Sequence, residues 1–253
     1  MSRTPLGPDF VADGEFRRSA SAWDRIRAST GLVKKVGRVS IFGTQSVGKT
    51  TLWESFRGRL PIQAQPTGMR RTNAPPVIVE VGGRPAVIKL GPDVGGNMEA
   101  ICTYWRDEFL KAGVVIYILN VPMYLKNHRS LDCSKNPGSR DCEVLREDVR
   151  DHLVAMATWH DQRRRRWYNR WFGAGRVPRV LILGTWCDEH PDWNCARPTD
   201  GAVYKQLESD RHYIRFRAKL VENGLVPQLL LGSLATPSSR SALIENVVHY
   251  MLA

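Results

Sequence analysis

Residues 43–50 read Gly43-Thr44-Gln45-Ser46-Val47-Gly48-Lys49-Thr50, and they directly follow the apolar run Val39-Ser40-Ile41-Phe42. This is the pattern G-x-x-x-x-G-K-T in the context that it needs, with a strand before it and a helix predicted after it, from about Lys49 to Arg57. The glycines let the backbone curl so that successive N–H groups point at phosphate oxygens. The helix turns the positive end of its dipole toward the same anion. The stretch therefore predicts a phosphate-binding loop, in which Lys49 reaches the outer phosphates and the Thr50 hydroxyl ligates Mg²⁺.

The composition is that of a basic chain long enough to bury a full core without disulfides. The 253 residues carry a net charge of +12 and five cysteines. An odd number of cysteines without a C-x-x-C pair is typical of a reducing compartment, and no apolar run reaches the length of a membrane span. We therefore expect a cytoplasmic protein, either free or peripheral at a membrane. The positive charge favours anionic partners, without choosing among nucleotides, acidic proteins, lipid head groups and nucleic acid.

Strand and helix signals alternate along the chain. The runs Pro76–Val81 and Pro85–Leu90 are joined by Gly82-Gly83-Arg84 and predict an antiparallel hairpin. The apolar runs Val114–Leu119 and Val180–Leu183 predict strands buried on both faces. We expect an α/β fold with a doubly wound, mostly parallel six-stranded sheet and one antiparallel hairpin strand at its edge. The remaining predicted elements are a strand at 228–231 and helices at about 98–112, 143–159, 201–221 and 239–252.

Two segments stand apart from this alternation and suggest how the chain is divided. Residues 1–35 form an N-terminal extension, in which aromatic and arginine residues between Asp9 and Ser29 predict one or two short amphipathic helices. Such helices pack on their own domain or lie on a partner or a membrane. The main domain then spans residues 36–253. It is enlarged at about 122–176 by a long polar connection at 122–142 and by the helix at 143–159, whose continuation to Phe172 is left open.

Arginines and aromatic residues are interleaved in the stretch Gln162–Phe172. Trp159, Trp167 and Trp171 fall on about one face of a helix, so a solvated helix with a packed aromatic face accounts for the pattern. The alternative is that Arg163-Arg164-Arg165-Arg166 binds an acidic protein or an anionic membrane. We do not expect a nucleic-acid partner.

Ligands of doubly wound sheets lie at the carboxyl ends of the strands, and four of these ends carry polar motifs. They are the loop at 43–50, Asp93-Val94-Gly95-Gly96, Thr185-Trp186-Cys187-Asp188 and Ser233-Leu234-Ala235-Thr236. In this order the motifs resemble those of the Ras-superfamily small GTPases, and most of all the Arf-like branch, which has D-x-G-G followed by W-R-x-x-F. Residues 93–96 and 105–109 are similar to these two motifs, Pro66-Thr67 to the Pro-Thr of the first switch, and Leu234-Ala235-Thr236 to the guanine-side Cys-Ala-Thr. The resemblance covers about residues 36–252 and implies the P-loop GTPase fold.

The resemblance assigns roles to the residues that match. Lys49 would bind the β- and γ-phosphates, Asp188 would accept from the guanine ring N–H and amino group, and Ala235 would donate its backbone N–H to the guanine oxygen. The implied nucleotide-binding residues are Gly43, Thr44, Gln45, Ser46, Val47, Gly48, Lys49, Thr50, Thr51, Thr185, Trp186, Asp188, Ala235 and Thr236. The implied catalytic residues are Lys49, Thr67, Gly96 and Asn97, and the implied Mg²⁺ ligands are Thr50, Thr67 and Asp93.

Three departures from the family pattern leave alternatives open. Trp186 stands where the motif [N/T]-K-x-D has lysine, and an indole there would stack on the base. Asn97 stands where the branch usually has glutamine, so the amide that orients the attacking water is one methylene shorter. Either Thr67 or Thr72 is the switch threonine. The neighbouring Arg70-Arg71 either supplies a catalytic arginine from within the chain itself or is part of a solvated basic loop.

The resemblance thus implies a GTPase, a GTP phosphohydrolase that acts as a molecular switch. It would bind GTP or GDP with Mg²⁺, hydrolyse GTP slowly without an activating partner, and present an effector protein with one of two loop states. Two alternatives remain: a scaffold, or pseudo-GTPase, that binds GTP with negligible hydrolysis, and an ATP-using P-loop enzyme. Asp188 discriminates against the last, because adenine lacks the N–H and amino group that its carboxylate would read.

Overall fold

Seven strands form a single sheet in the computed structural model, which describes residues 16–19, 34–58, 75–81, 84–95, 104–125, 142–165, 177–195 and 198–253. The strands are β1 (Phe16–Ser19), β2 (Lys34–Gly43), β3 (Val77–Val81), β4 (Arg84–Leu90), β5 (Val114–Asn120), β6 (Arg179–Thr185) and β7 (Pro227–Leu231). Their order across the sheet is β1-β3-β4-β2-β5-β6-β7. Neighbours from β4 to β7 are parallel, and β3 is antiparallel to β4. The predicted α/β fold, with a mostly parallel sheet and one antiparallel hairpin, is confirmed.

Helices cover both faces of this sheet. They are α1 (Lys49–Phe56), α2 (Arg106–Lys111), α3 (Val121–Leu125), α4 (Cys142–Arg165), α5 (Ala202–Ser209), α6 (Arg211–Glu222) and α7 (Pro237–Leu252). A short 3₁₀ turn follows β6 at Cys187–Glu189. Within the described ranges, no helix combines the length and the apolar character of a membrane span.

The central strand β5 is apolar from Val114 to Leu119 because helices cover both of its faces. Val115, Tyr117 and Leu119 pack into a core with residues of α2, α4 and α6. The alternate residues of the strand pack into a second core with α1 and α7. Because successive side chains of a strand point to opposite faces, a strand covered on both sides must be apolar at every position.

The helices predicted for the N-terminal extension do not hold at residues 16–19, which form β1. This strand pairs antiparallel with β3, with Phe16 opposite Glu80 and Ser19 opposite Val77. All six predicted strands are present, and β1 is a seventh that covers the outer edge of β3. An open sheet edge recruits a strand through backbone hydrogen bonds, which leave little trace in the side-chain pattern. The rest of the extension lies outside the described residues, and the division of the chain at residue 35 stays a prediction.

The polar connection predicted at 122–142 is wrong at its start, because residues 121–125 form the buried helix α3. Asn120 begins this helix, since its side-chain oxygen accepts from the Met123 N–H at 3.1 Å. Further along, the helical stretch predicted at 201–221 is present as two helices, which break where the Asp210 carboxylate caps α6. The predicted helix at 143–159 extends to Arg165, while residues 126–141 and 166–176 lie outside the described residues.

Gly184 of β6 leaves no room for a side chain, and we expect Gly184→Ala to destabilise the protein. A Cβ at this position would lie 2.4 Å from Leu231 Cδ2 and 2.6 Å from Val121 Cγ2. Overpacking of this kind costs about 1–3 kcal/mol of unfolding free energy, which chemical denaturation would measure. Combining Gly184→Ala with Leu231→Ala should cost less than the sum of the two single effects, because the second change removes one clashing methyl. Full stability of Gly184→Ala would contradict the packing described here.

Candidate functional site

The loop between β2 and α1 curls in the way that the glycine pattern predicts. Gly43, Ser46 and Gly48 all have positive φ angles, of 147°, 62° and 98°. A Cβ on Gly43 would lie 2.6 Å from the Ile118 carbonyl oxygen. A backbone that changes hand in this way forms a concave nest of N–H groups, which suits an anion. The left-handed conformation of Ser46, which is not a glycine, is the kind of strain that collects at ligand-binding loops.

Lys49 is folded against this loop. Its side-chain nitrogen donates to the Gly43 carbonyl at 2.9 Å and to the Thr44 carbonyl, and the residue is only 7% exposed. Burial lowers the pKa of Lys49 to about 8, an effect that the nearby Asp93 carboxylate opposes. Asp93 is the one carboxylate that acts on Lys49 among the residues that the structure describes. A buried cation gains from an added anion, because the anion offsets its lost hydration.

Thr44 places a buried hydroxyl at the same loop. Its hydroxyl oxygen is buried and has no hydrogen-bond partner among the described residues. Buried hydroxyls without a partner are uncommon and usually mark a missing ligand or water. A phosphate oxygen at the loop would supply such a partner, so the loop fits a phosphate on this observation as well.

Thr50 and Asp93, two of the predicted Mg²⁺ ligands, are in direct contact. The Thr50 hydroxyl donates to a carboxylate oxygen of Asp93 at 2.8 Å. Hydroxyl and carboxylate oxygens are the ligands that Mg²⁺ takes, together with phosphate oxygens and waters. The described residues contain no cluster of three or more His, Cys, Asp or Glu side chains suited to a metal. The donor set therefore fits a cation held jointly by protein and phosphate.

Two buried tryptophans hold the backbone on either side of Asp93. The Trp53 indole N–H donates to the Gly91 carbonyl at 2.8 Å, and the Trp105 indole N–H donates to the Gly95 carbonyl at 3.0 Å. Trp105 is itself packed between Phe42 and His152, with ring centroids 4.9 Å and 4.8 Å away. Sequence reasoning assigned neither indole a role. The signal was a tryptophan within α1 and another directly before α2, the two helices that flank the site.

Thr185 is near the site but supports it from beneath. Its side chain is fully buried, and its hydroxyl lies 3.0 Å from the Val47 carbonyl and 3.3 Å from the Leu119 carbonyl. These contacts tie the phosphate loop to the ends of β5 and β6. The structure thus shows Thr185 as a brace for the loop, and its predicted contact with nucleotide stays a prediction.

Trp186 and Asp188 project from the turn after β6. Trp186 has a positive φ of 60° and is 38% exposed, and Asp188 is exposed in the following 3₁₀ turn. The turn is held beside the end of β7, because the Cys187 N–H donates to the Gly232 carbonyl at 3.3 Å. The exposed side chains of Trp186 and Asp188 therefore lie at the same edge of the sheet as the phosphate loop, as predicted.

Ala235 and Thr236 lie in the next loop, after β7. The Ala235 N–H donates to the Ser233 hydroxyl at 3.0 Å, so a guanine oxygen would have to share or replace this partner. The Thr236 hydroxyl accepts from the Ser239 N–H at 3.2 Å and caps α7, which begins at Pro237. Sequence reasoning missed Arg240 of α7, which holds this loop by donating to the Leu234 carbonyl at 3.0 Å and 3.2 Å.

The residues predicted to act around the γ-phosphate lie outside the described residues. This applies to Thr67, Gly96 and Asn97, and to the alternatives Arg70, Arg71 and Thr72. The described residues bring together the phosphate loop, Thr50, Asp93 and the two strand ends that carry Asp188 and Ala235. The contacts expected around the γ-phosphate remain predictions.

Comparison with known proteins adds a likeness of fold. No protein family model matches this chain, and no curated protein matches it. Among solved structures, the chain is similar to the Arl6 BBS3 small GTPase from Trypanosoma brucei, whose structure holds the nucleotide analogue GppNp. The two are 12% identical over 86% of this chain and 98% of that chain, with a TM-score of 0.49. A likeness at this identity and score says nothing about the ligand or the activity of this chain.

Proposed function

We propose that this chain is a guanine-nucleotide-binding switch that binds GTP and GDP with Mg²⁺ and hydrolyses GTP slowly. The observation that carries the proposal is the arrangement at the start of α1. There a buried Lys49 lies against the phosphate loop, and the Thr50 hydroxyl lies 2.8 Å from Asp93. Lys49 supplies positive charge for the β- and γ-phosphates, and Thr50 and Asp93 supply oxygen ligands for the metal.

Guanine recognition is the next step of the proposal. The exposed Asp188 carboxylate accepts two hydrogen bonds from guanine that adenine has no groups to donate. The exposed face of Trp186 stacks on the base where the related motif uses a lysine stem. Cys187 and Gly232 hold the two base-side loops together, so Asp188 and Ala235 approach the base from neighbouring strand ends.

The switch itself rests on the residues predicted around the γ-phosphate. When bound, Mg²⁺ would supply positive charge at the phosphates, and Thr50 and Asp93 would hold it on the protein side. Thr67 or Thr72 and the Gly96 N–H are held only while the γ-phosphate is present, and Asn97 orients the attacking water. Hydrolysis then releases both loops, and an effector protein distinguishes the two states. Trp105 anchors one end of this change, because it holds the Gly95 carbonyl next to Gly96.

A competition assay with GTP, GDP and ATP, with and without Mg²⁺, tests the proposal. We expect GTP and GDP to bind at least about 100-fold more tightly than ATP, because the Asp188 carboxylate is left without partners by adenine. Equal competition by ATP would favour the ATP-using alternative and remove the guanine assignment. Failure of all three nucleotides to bind would overturn the proposal as a whole.

Single-turnover hydrolysis separates the switch from the scaffold alternative. We expect GTP cleavage above the buffer background within a day, at the slow rate typical of GTPases without an activating partner. Asn97→Gln restores the longer amide and should raise the rate. If neither protein cleaves GTP while both bind it, the scaffold reading replaces the switch.

Thr50→Val tests the metal assignment. Valine keeps the shape of threonine but lacks the hydroxyl that lies 2.8 Å from Asp93. We expect Mg²⁺ to raise the GTP affinity of the parent protein by at least about tenfold, and this gain should largely disappear in Thr50→Val. The matched control is Ser55→Ala, which removes a hydroxyl bonded within the same helix to the Thr51 carbonyl. An undiminished Mg²⁺ effect in Thr50→Val would show that the metal is held elsewhere.

A further inference from the structure

Arg240 of α7 is a buried arginine whose side chain folds back onto the loop after β7. The residue is only 9% exposed, and burial lowers the pKa of its guanidinium. Nε and Nη2 both donate to the Leu234 carbonyl, at 3.2 Å and 3.0 Å. Nη1 is buried without a hydrogen-bond partner among the described residues. A cation that is costly to bury and places two donors on one oxygen is better suited to orienting that oxygen than to stabilising the fold.

The Leu234 carbonyl belongs to the same peptide group as the Ala235 N–H, the predicted donor to the guanine oxygen. This peptide is trans, as are the other described peptides, so its C=O and N–H are coplanar and point in opposite directions. Because Arg240 holds the oxygen, the N–H points away from the guanidinium. Its acceptor is the Ser233 hydroxyl at 3.0 Å, at the strand end beside the loop that carries Asp188. The guanidinium therefore sets the direction of this donor.

Other contacts hold the rest of the loop relative to the phosphate loop. The Leu234 side chain packs against Gly48, where an added Cβ would lie 3.0 Å from Leu234 Cδ1. At the far end of the loop, Thr236 and Ser239 cap α7 with reciprocal hydrogen bonds. These contacts fix the two ends of the loop, and Arg240 fixes the plane of the peptide between them.

We propose that Arg240 is a positioning residue for base recognition, which orients the Ala235 N–H toward the oxygen at position 6 of guanine. The inference rests on the proposed function, because it requires Ala235 to contact the base. The bound oxygen shares or replaces the Ser233 hydroxyl as the acceptor of this N–H. Arg240 acts through the peptide and does not touch the nucleotide. Its loss should therefore weaken nucleotides that carry this oxygen and spare those that lack it.

Dissociation constants from displacement of a labelled GDP test this proposal in the full chain. GTP and inosine triphosphate carry the oxygen at position 6, and 2-aminopurine riboside triphosphate lacks it. We expect Arg240→Met to weaken the first two about 3- to 10-fold, the contribution of one hydrogen bond, and to leave the third unchanged. Arg240→Lys keeps the charge and one donor but not the planar fork. It should show a smaller loss with the same selectivity.

Arg179→Met is the matched control, because Arg179 donates to the Tyr250 and Met251 carbonyls at the opposite end of α7. It should leave all three affinities unchanged. Equal weakening of the three nucleotides by Arg240→Met would overturn the proposal, as would no weakening, or the same selective loss in Arg179→Met. If circular dichroism shows that Arg240→Met does not fold, Arg240→Lys decides by the same criteria.

The parent protein separates failure of this inference from failure of the proposed function. A parent that prefers GTP to ATP, together with an Arg240 variant that weakens all three nucleotides equally, overturns the role of Arg240 alone. A parent without preference for GTP over ATP overturns the guanine assignment and this inference with it.

Discussion

Lys49→Met is expected to reduce GTP affinity by about 10²- to 10³-fold without unfolding the protein. The side-chain nitrogen is held against the phosphate loop by the Gly43 and Thr44 carbonyls. Removing one partner of a buried charge pair costs about 3–5 kcal/mol, and the lower part of this range, about 3–4 kcal/mol, corresponds to a 10²- to 10³-fold loss of affinity. Displacement of a fluorescent GTP analogue would measure the change.

The same substitution should stabilise the protein in the absence of nucleotide and metal. Methionine is similar in length to lysine but brings no charge into the buried site. The fall in the pKa of Lys49 from 10.5 to about 8 shows that burial disfavours the cation, by about 3 kcal/mol at most. Two carbonyls lose their donor, so we expect a net gain of about 1–2 kcal/mol in chemical denaturation.

Lys89→Met is the control for both measurements, because Lys89 is an exposed lysine of β4. It should change neither GTP affinity nor stability appreciably. Unchanged GTP affinity in Lys49→Met would remove the phosphate loop from the proposed function. A large loss of stability would show instead that the contacts of Lys49 with the loop carbonyls outweigh its desolvation.

Asp188→Ala is expected to lower the affinity for GTP and GDP by about 10³-fold while leaving that for ATP unchanged. In the proposed site the carboxylate accepts from the guanine N–H and amino group, and sites built around such hydrogen bonds lose most of their discrimination when the bonds are removed. Competition of the three nucleotides against a labelled analogue would measure the ratio. After the substitution, GTP and ATP should compete about equally.

Asp192→Ala removes a carboxylate four positions further along the same exposed loop and serves as the control. It should leave the preference for guanine intact, which separates a specific contact from a general change in charge. Equal weakening of GTP and ATP by Asp188→Ala would point to an effect on the phosphate end. No change at all would mean that the base is read by other residues, Trp186 first among them.

Elements with strong local patterns were predictable from the sequence. The phosphate loop, the hairpin of β3 and β4 and the buried strands β5 and β6 all have residue patterns that require little from elsewhere in the chain. Two elements were missed for a common reason. β1 forms because β3 offers an open edge, and α3 forms because its apolar side chains are buried beneath other elements. Neither condition is visible in the segment itself.

Some residues of the site were predicted with a role that the structure makes more specific. Thr185 belongs to a base-side motif, yet its buried hydroxyl braces the phosphate loop through the Val47 carbonyl. Thr236 was assigned to the nucleotide, and its hydroxyl caps α7. A motif names the residue types that a site needs, but it does not say which hydrogen bonds compete for each hydroxyl.

The sequence by itself determined where a phosphate loop forms and which strand ends carry polar motifs, because glycine spacing and apolar runs act over short distances along the chain. Only the tertiary structure decided that Thr50 meets Asp93, 43 positions away, at 2.8 Å. It also decided that the Trp105 indole holds the Gly95 carbonyl, ten positions away. These contacts depend on the order of the strands and on the side chains that pack between distant segments, which no local pattern specifies.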